Sequence, residues 1–343
     1  MNPRRRFLSR AASVAVATSP LSLLSNHAFA QTFQRVAISV PGPGNLLFLP
    51  VTLASKIGAD RAEGIELDIR YFGGGPQAYR DMLERNTDFS AGGLAALALQ
   101  RLSGKPVISI APTTRVPAYT LLVRSGLKGK VRSVKDLAGK VVGVKGHVPG
   151  GRSTSQLFTE YVLGRLGQDA VNYVSVGQNY ENQYAALASG SVDAIMGDEP
   201  FATRLIKEKV GFPLADYHDL ETTRKLLGGL FLNGNIATRD DVIATRPELV
   251  EKMVKTITRT LVWIDKHTAK DIVDAMALED VQSRNALLEV LSVQKRVYSP
   301  DGKISTAQVA SVTRFLRATE TTPAAQAFDV QSLMNTRWAG AAP

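Results

Sequence analysis

The chain has 343 residues, 44% of them hydrophobic, a formal net charge of +10 and no cysteine. That length and apolar content suffice for large buried cores and point to two domains rather than one. Without cysteine there is no disulfide, thiolate metal site, cysteine nucleophile or lipidated N-terminal cysteine.

Residues 1–30 read as an export signal: Arg4, Arg5, Arg6 and Arg10 with no acid, an apolar and small-residue run over 11–24, then Ala28-Phe29-Ala30 before Gln31. Cleavage is expected after Ala30. The paired arginines ahead of Phe7-Leu8 suit the twin-arginine route, and a basic leader serves the ordinary secretory route equally. Removal takes away four of the 41 basic residues and none of the 31 acidic ones, lowering the formal charge to +6. No run of five or more like charges follows, so nucleic-acid binding has little support, and no later stretch is apolar and long enough to span a bilayer. The expectation is a soluble, unanchored protein outside the cytoplasm, as in a bacterial periplasm.

A short strand pattern over 35–40 runs into Pro41-Gly42-Pro43-Gly44-Asn45 and an apolar helix over 46–57. Alternation in Ile65, Leu67, Ile69 and Tyr71 gives a second strand, stopped by Gly73-Gly74-Gly75-Pro76, with a helix over about 77–85. Asp88-Phe89-Ser90-Ala91-Gly92-Gly93 then leads into another helix to Leu102. Two strand patterns at 106–111 and 118–123 read as the first crossing between domains.

The same order returns. A strand over 141–144 enters a loop with Gly146, Pro149, Gly150 and Gly151, and Ser153, Thr154 and Ser155 open a helix to about Leu166. A strand over 171–176, the loop Gly177-Gln178-Asn179, a helix over 180–189 and a strand over 192–198 ending at Asp198 follow. Leu83 to Phe89 and Leu187 to Ala194 correspond with a one-residue offset, each a helix end, a turn tolerant of positive φ and a strand carrying Asp88 or Asp193. Two similar α/β domains are implied. The second crossing falls between about Pro213 and Leu230, because 231–237 reads as a strand with no partner nearby. Beyond it the chain is helical: Thr245-Arg246-Pro247-Glu248 fits a capping box, and helices run to Lys266 (with Trp263 on an apolar face) and over 269–278, 284–297 and 306–318, expected to pack on the first domain.

The stretch over 140–157 is the clearest candidate for half of a ligand site. Glycines let the backbone approach a ligand, and the first N–H groups of a helix lack partners within it. Taken alone, the same residues also suit a tight turn with Ser153 or Thr154 as an N-cap.

The order of features resembles a known family. They are a first strand ending in a Pro/Gly loop, the Gly73-Gly74-Gly75 loop, Ser133-Val134-Lys135-Asp136-Leu137-Ala138-Gly139-Lys140 before the strand over 141–144, Ala185 to Ala194 leading to Asp198-Glu199-Pro200, and a Pro-Glu-started helix carrying Trp263. Together they resemble the periplasmic solute-binding proteins of ABC importers for nitrate, sulfonates, taurine and thiamine precursors. The resemblance implies an α/β, periplasmic-binding-protein-like (type II) fold of two Rossmann-like lobes joined by a two-strand hinge, closing on a small ligand. The lobes would be 31–115 with 223–343, and 116–222. It also implies a membrane permease as partner, a monomer, no cofactor and no catalysis.

Carried over by position, the resemblance implies ligand contacts from Gly44, Asn45, Gly74, Gly75, Ser90 and Ala91 in the first lobe and Thr113 or Thr114 at the hinge. The second lobe would add Gly151, Arg152, Ser153, Thr154, Asn179 and Asp198. Each has a plainer reading: Asn45, Thr113 and Asn179 suit turns, Asp88 and Asp193 suit caps, and Arg152 suits a solvated side chain. A carboxylate at Asp198 would repel a bare anion by about 1 kcal/mol at 4 Å in water and by more in a dry cleft. The expected ligand therefore has two ends, an acidic one on Ser153, Thr154 and Arg152 and an amino or ring N–H one on Asp198, as in taurine-like zwitterions or aminopyrimidines.

The rival class is phosphoryl transfer, since Gly146 to Ser153 has P-loop spacing with Arg152 in place of the required Lys, and Asp198-Glu199 mimics the acidic strand end that helps hold Mg²⁺. The missing Lys and the export signal both weigh against it. Hydrolase readings fare worse: after residue 30 only His147, His218 and His267 remain, with no H-E-x-x-H pair and no G-x-S-x-G elbow. A thiamine-precursor synthase of related fold would use a cysteine-rich motif that this chain lacks.

Overall fold

The computed structural model describes residues 32–145, 151–165 and 171–340. The export signal, its cleavage point and Gly146, His147, Val148, Pro149 and Gly150 lie outside the described residues.

Two five-stranded sheets carry the architecture. The first half of the chain alternates β1 (Gln34–Pro41), α1 (Leu49–Lys56), β2 (Ile65–Phe72), α2 (Gly75–Leu83), β3 (Phe89–Gly93), α3 (Leu94–Leu102) and β4 (Val107–Pro112). The chain then passes to the other sheet with β5 (Tyr119–Arg124), β6 (Val141–Val144), α4 (Thr154–Arg165), β7 (Asn172–Ser175), α5 (Tyr180–Ser189), β8 (Ala194–Asp198), α6 (Phe201–Lys207), β9 (Gly211–Asp216) and α7 (Leu220–Leu227). It returns as β10 (Gly234–Arg239), followed by α8 (Asp240–Thr245), α9 (Pro247–Lys266), α10 (Ala269–Met276), α11 (Val281–Gln294) and α12 (Thr306–Thr319).

The sheets share one topology. Strand orders are β2-β1-β3-β10-β4 and β7-β6-β8-β5-β9. In each, the first three strands are parallel and the fourth runs against both neighbours. That antiparallel strand is the one arriving from the other lobe, so it needs no crossover helix and can slot in between two strands. β10 therefore finds partners in β3 and β4 that its sequence neighbourhood did not reveal. The inner parallel strands β1, β3, β6 and β8 are largely buried, whereas the edge strands β2 and β7 alternate or face solvent, and the loops open at one edge of each sheet.

Several expectations need correction. No capping box forms at Thr245, whose hydroxyl donates to Asp241 O within α8 at 2.7 Å, and α9 begins at Pro247 with no side-chain cap. The segment between Asp198 and Gly234 holds α6, β9 and α7, none of which had a clear periodic signal. Of the C-terminal helices, α9 and α10 pack on α1, whereas α11 reaches α6 and α12 reaches α4 and α7. The α12 contact is aromatic: Phe315 stacks on Phe158 of α4 at 6.2 Å and meets Tyr161 at 5.0 Å. The positive-φ turn falls on Arg85 in the first lobe and on Gly190 in the second. Asp193 accepts from Val141 N and Arg124, and Asp88 pairs with Arg246, so both acids fix turns as the plainer reading has it.

Candidate functional site

The cleft between the lobes lies at the C-terminal ends of the parallel strands, where open α/β sheets bind ligands. Three segments cross its floor: 41–48 after β1, 178–179 after β7 and 198–200 after β8. The lobes touch there. Leu46 N donates to Glu199 O at 2.7 Å, and the Gln178 side chain lies against Gly42, where a Cβ would sit 2.3 Å from its Cγ. Gly42 has φ +64°, so glycine is required both for the backbone and for the approach.

On one side of this seam is a cavity of about 30 Å³, lined by Pro41, Gly75, Tyr119, Lys145, Ser153, Thr154, Gln178 and Asp198 among others. Its chemistry centres on an ion pair 2% exposed on both sides, Lys145 Nζ to Asp198 Oδ1 at 3.3 Å. Lys145 also donates to Met196 O, and Gln178 Nε2 donates to Asp198 Oδ2 at 2.7 Å. Burial pushes the Asp198 carboxyl up and the Lys145 ammonium down from their ordinary values, each shift opposed by the partner's charge. β8 ends in Asp198 and its parallel neighbour β6 runs directly into Lys145, so the sheet itself brings them together. Behind them Glu199 Oε1 lies 3.6 Å from His218 Nε2, while His218 Nδ1 contacts Asp216. Burial raises Glu199, with the His218 charge pulling the other way.

On the other side is a chamber of about 420 Å³, with Phe48 in the wall common to both. Gly44, Asn45, Asn179, Phe201 and Arg204 line it together with Met276, Leu278 and Leu287 of the C-terminal region.

The fourteen expected site residues thus divide. Gly44, Asn45 and Asn179 line the larger chamber, and Gly75, Ser153, Thr154 and Asp198 line the smaller. Both asparagines also cap, Asn45 Oδ1 accepting from Leu47 N at 2.8 Å and Asn179 Oδ1 from Asn182 N at 2.9 Å. Ser153 Oγ accepts from Gln156 N at 3.2 Å. Thr154 Oγ1 accepts from Ala96 N at 3.1 Å, a bond from α4 to the start of α3 in the other lobe.

Gly74, Ser90, Ala91, Thr113, Thr114, Gly151 and Arg152 line neither space. Gly74 precedes α2, and Ser90 and Ala91 sit inside β3, where the Ser90 hydroxyl donates to Ala91 O. Thr114 Oγ1 accepts from Gly234 N at 2.7 Å and Thr113 donates to Leu47 O, so the hinge threonines tie the crossing to its neighbours. Arg152 is held by Glu160 at 2.7 Å and by Glu320 at the end of α12. Two carboxylates thus engage its guanidinium, whereas neither cavity draws on it. Lys145, Gln178 and Tyr119 were missed. The available signal for Lys145 was its place directly after an apolar strand, the position that singled out Asp198.

Among the described residues no cluster of His, Asp and Glu could hold a metal, and no helix is long and apolar enough to cross a membrane.

Comparison with known proteins agrees with this geometry. The model of the NMT1-like family matches residues 46–278, more than half of the chain. The putative binding protein YtlA of Bacillus subtilis (strain 168) is 24% identical over 265 residues, 75% of each chain. A solved structure from Bordetella bronchiseptica RB50 superposes with a TM-score of 0.81 at 23% identity, covering 89% of this chain and 95% of that one. The alkanesulfonate-binding protein SsuA from Xanthomonas axonopodis pv. citri, bound to MOPS, gives 0.67 at 18%, covering 88% and 97%. The desulfurization enzyme DSZB shares the fold, with a TM-score of 0.63 at 16% identity over 89% of this chain and 97% of that one, so the architecture alone does not exclude catalysis. The chain belongs to the NMT1-like family and has the two-lobed fold of periplasmic solute-binding proteins.

Proposed function

We propose that this chain is the extracytoplasmic solute-binding component of an ABC importer, exported by its first 30 residues and acting as a monomer that delivers a small zwitterionic or polar organic solute to a permease. The observation that carries the reading is the buried Lys145–Asp198 pair, set at adjacent strand ends against a cavity bounded by both lobes. Lys145 takes the role expected of Arg152: an acidic ligand end meets Lys145 and Ser153, and an N–H end meets Asp198 and Gln178. The solute exchanges one ion pair for two, so each buried charge keeps a partner.

With the lobes in contact the space holds about one water, so the solute enters with the lobes apart and its bridging contacts favour closure. Taurine-like sulfonates and aminopyrimidines both meet the two-ended requirement. The test is native mass spectrometry of the purified protein followed by calorimetry with taurine, plain alkanesulfonates and aminopyrimidines. Binding of a two-ended solute, weakened at least tenfold by Asp198→Asn, is expected. Tight binding of the plain sulfonate alone would reject the two-ended site, and recovery of a chemically altered compound would reject transport as the activity.

A further inference from the structure

The larger chamber is separated from the ion pair by the segments that form the seam. Pro41 faces the smaller space and Gly42 the larger; Gln178 and Asn179 divide likewise, as do Asp198 and Pro200. At about 420 Å³ it has the size of an ordinary small-molecule pocket. Phe48, Leu49, Phe201 and Leu287 give it apolar walls.

One side chain of the lining keeps a polar atom with no hydrogen-bond partner within the protein. Asn45 is 2% exposed; its Oδ1 caps the turn before α1, but its Nδ2 is buried with no hydrogen-bond partner. An orphaned buried donor is costly unless something accepts from it. The charges at the rim argue against an anion. Arg204 is engaged by Glu208 at 2.9 Å and by Asp280 at 3.1 Å and lies over the Tyr180 ring at 3.8 Å, while Glu181 adds a second acid to the lining.

We propose that this chamber is a second ligand site, distinct from the Lys145–Asp198 pocket, for a neutral molecule with a flat apolar body and one hydrogen-bond acceptor directed at Asn45 Nδ2. The body lies between Phe48 and Phe201, and a carbonyl or ring nitrogen takes the orphaned N–H.

The test uses the full-length chain and the neutral fluorophore 6-propionyl-2-(dimethylamino)naphthalene, whose carbonyl is an acceptor and whose emission moves to the blue in apolar surroundings. Saturable blue-shifted binding at one equivalent is expected, with at least tenfold weaker binding of the anionic 1-anilinonaphthalene-8-sulfonate. Leu278→Trp fills the chamber from its half-exposed rim and should abolish probe binding. Asn45→Ser keeps a capping oxygen and should weaken binding about fivefold. Circular dichroism of both variants checks that they are folded, and Asp198→Asn should leave probe affinity unchanged. Absence of saturable binding, equal binding by folded Leu278→Trp, preference for the anionic dye, or loss of the probe in Asp198→Asn would each overturn the second site.

Discussion

The two spaces in the cleft share the same three segments as a dividing wall, yet they ask opposite things of an occupant. In the small one every charged group already has a partner: Asp198 has Lys145 and Gln178, and Lys145 has Met196 O. A ligand there must replace those bonds with equivalents, which makes the pocket selective, because a poor match leaves a buried charge unpaired. In the large one a ligand displaces nothing and supplies Asn45 Nδ2 with an acceptor. Selectivity there comes from shape and from the acidic rim.

The largest expected effect comes from breaking the ion pair. Lys145→Met leaves Asp198 buried beside a methionine and should cost about 3–5 kcal/mol in urea unfolding. Adding Asp198→Leu should recover most of that loss, since two apolar residues of similar bulk leave no orphaned charge. A double variant as unstable as the single one would mean that the pair's value lies in its bonds to Met196 O and Gln178 rather than in its charges. Folded double variant should bind no zwitterion and retain the neutral probe.

The succession of strands and small-residue loops made both sheets legible, because the edge strand β2 leaves an alternating pattern and the inner parallel strands, largely buried, leave apolar runs. Asp198 was legible for the same reason: a lone carboxylate at the end of such a strand must be answered by something. Its answer, Lys145, was hidden because pairing β6 with β8 is a property of sheet order, and sequence periodicity carries no information on which strand lies beside which. Thr154 lines the smaller space, and its bond to Ala96 N runs to the other lobe, a distance relation no local pattern encodes. Arg152 looked like a cleft cation because its partners, Glu160 and Glu320, are 8 and 168 residues away. The short elements α6, β9 and α7 lacked enough turns or alternation to stand out, and the interlobe Arg204 went unnoticed with them.

Thr154→Val sharpens the contrast between lobe contact and ligand contact. The substitution keeps the shape but leaves Ala96 N–H without a partner only when the lobes are together; apart, water takes it. The closed form should lose about 1–2 kcal/mol, so solute affinity should fall roughly tenfold, with global stability nearly unchanged. Calorimetry and urea unfolding on the same variant separate the two, and a stability loss matching the affinity loss would show that Thr154 holds α3 in both forms.

Glu199 sits at the seam itself, its carbonyl bonded to Leu46 and its carboxyl buried beside His218. Burial raises the carboxyl above its ordinary 4.5, so the folded chain holds a proton that the unfolded chain releases. The resulting stability is fully present below that ordinary value and is lost as pH rises through the raised one, with Asp198 acting in the same sense. Scanning calorimetry from about pH 5 to about pH 8 should show Glu199→Gln flattening this decline by on the order of 2–4 °C. An identical slope in the variant would place the proton elsewhere.

The smallest effect tests whether the two spaces close together. Arg204 in α6 reaches Asp280 at 3.1 Å, Gln282 at 2.8 Å and Ser283 at 3.3 Å, joining the second lobe to the C-terminal region across the mouth of the larger chamber. The contact is partly solvated, so Arg204→Gln should weaken ligand affinity only about twofold, and the difference should shrink in high salt. If closure is one rigid motion, the latch stabilises both spaces at once, and solute and neutral probe should lose affinity by the same factor. A loss confined to the probe would mean that the larger chamber opens by itself, with the bond between Leu46 and Glu199 acting as a fixed wall rather than as part of a moving seam.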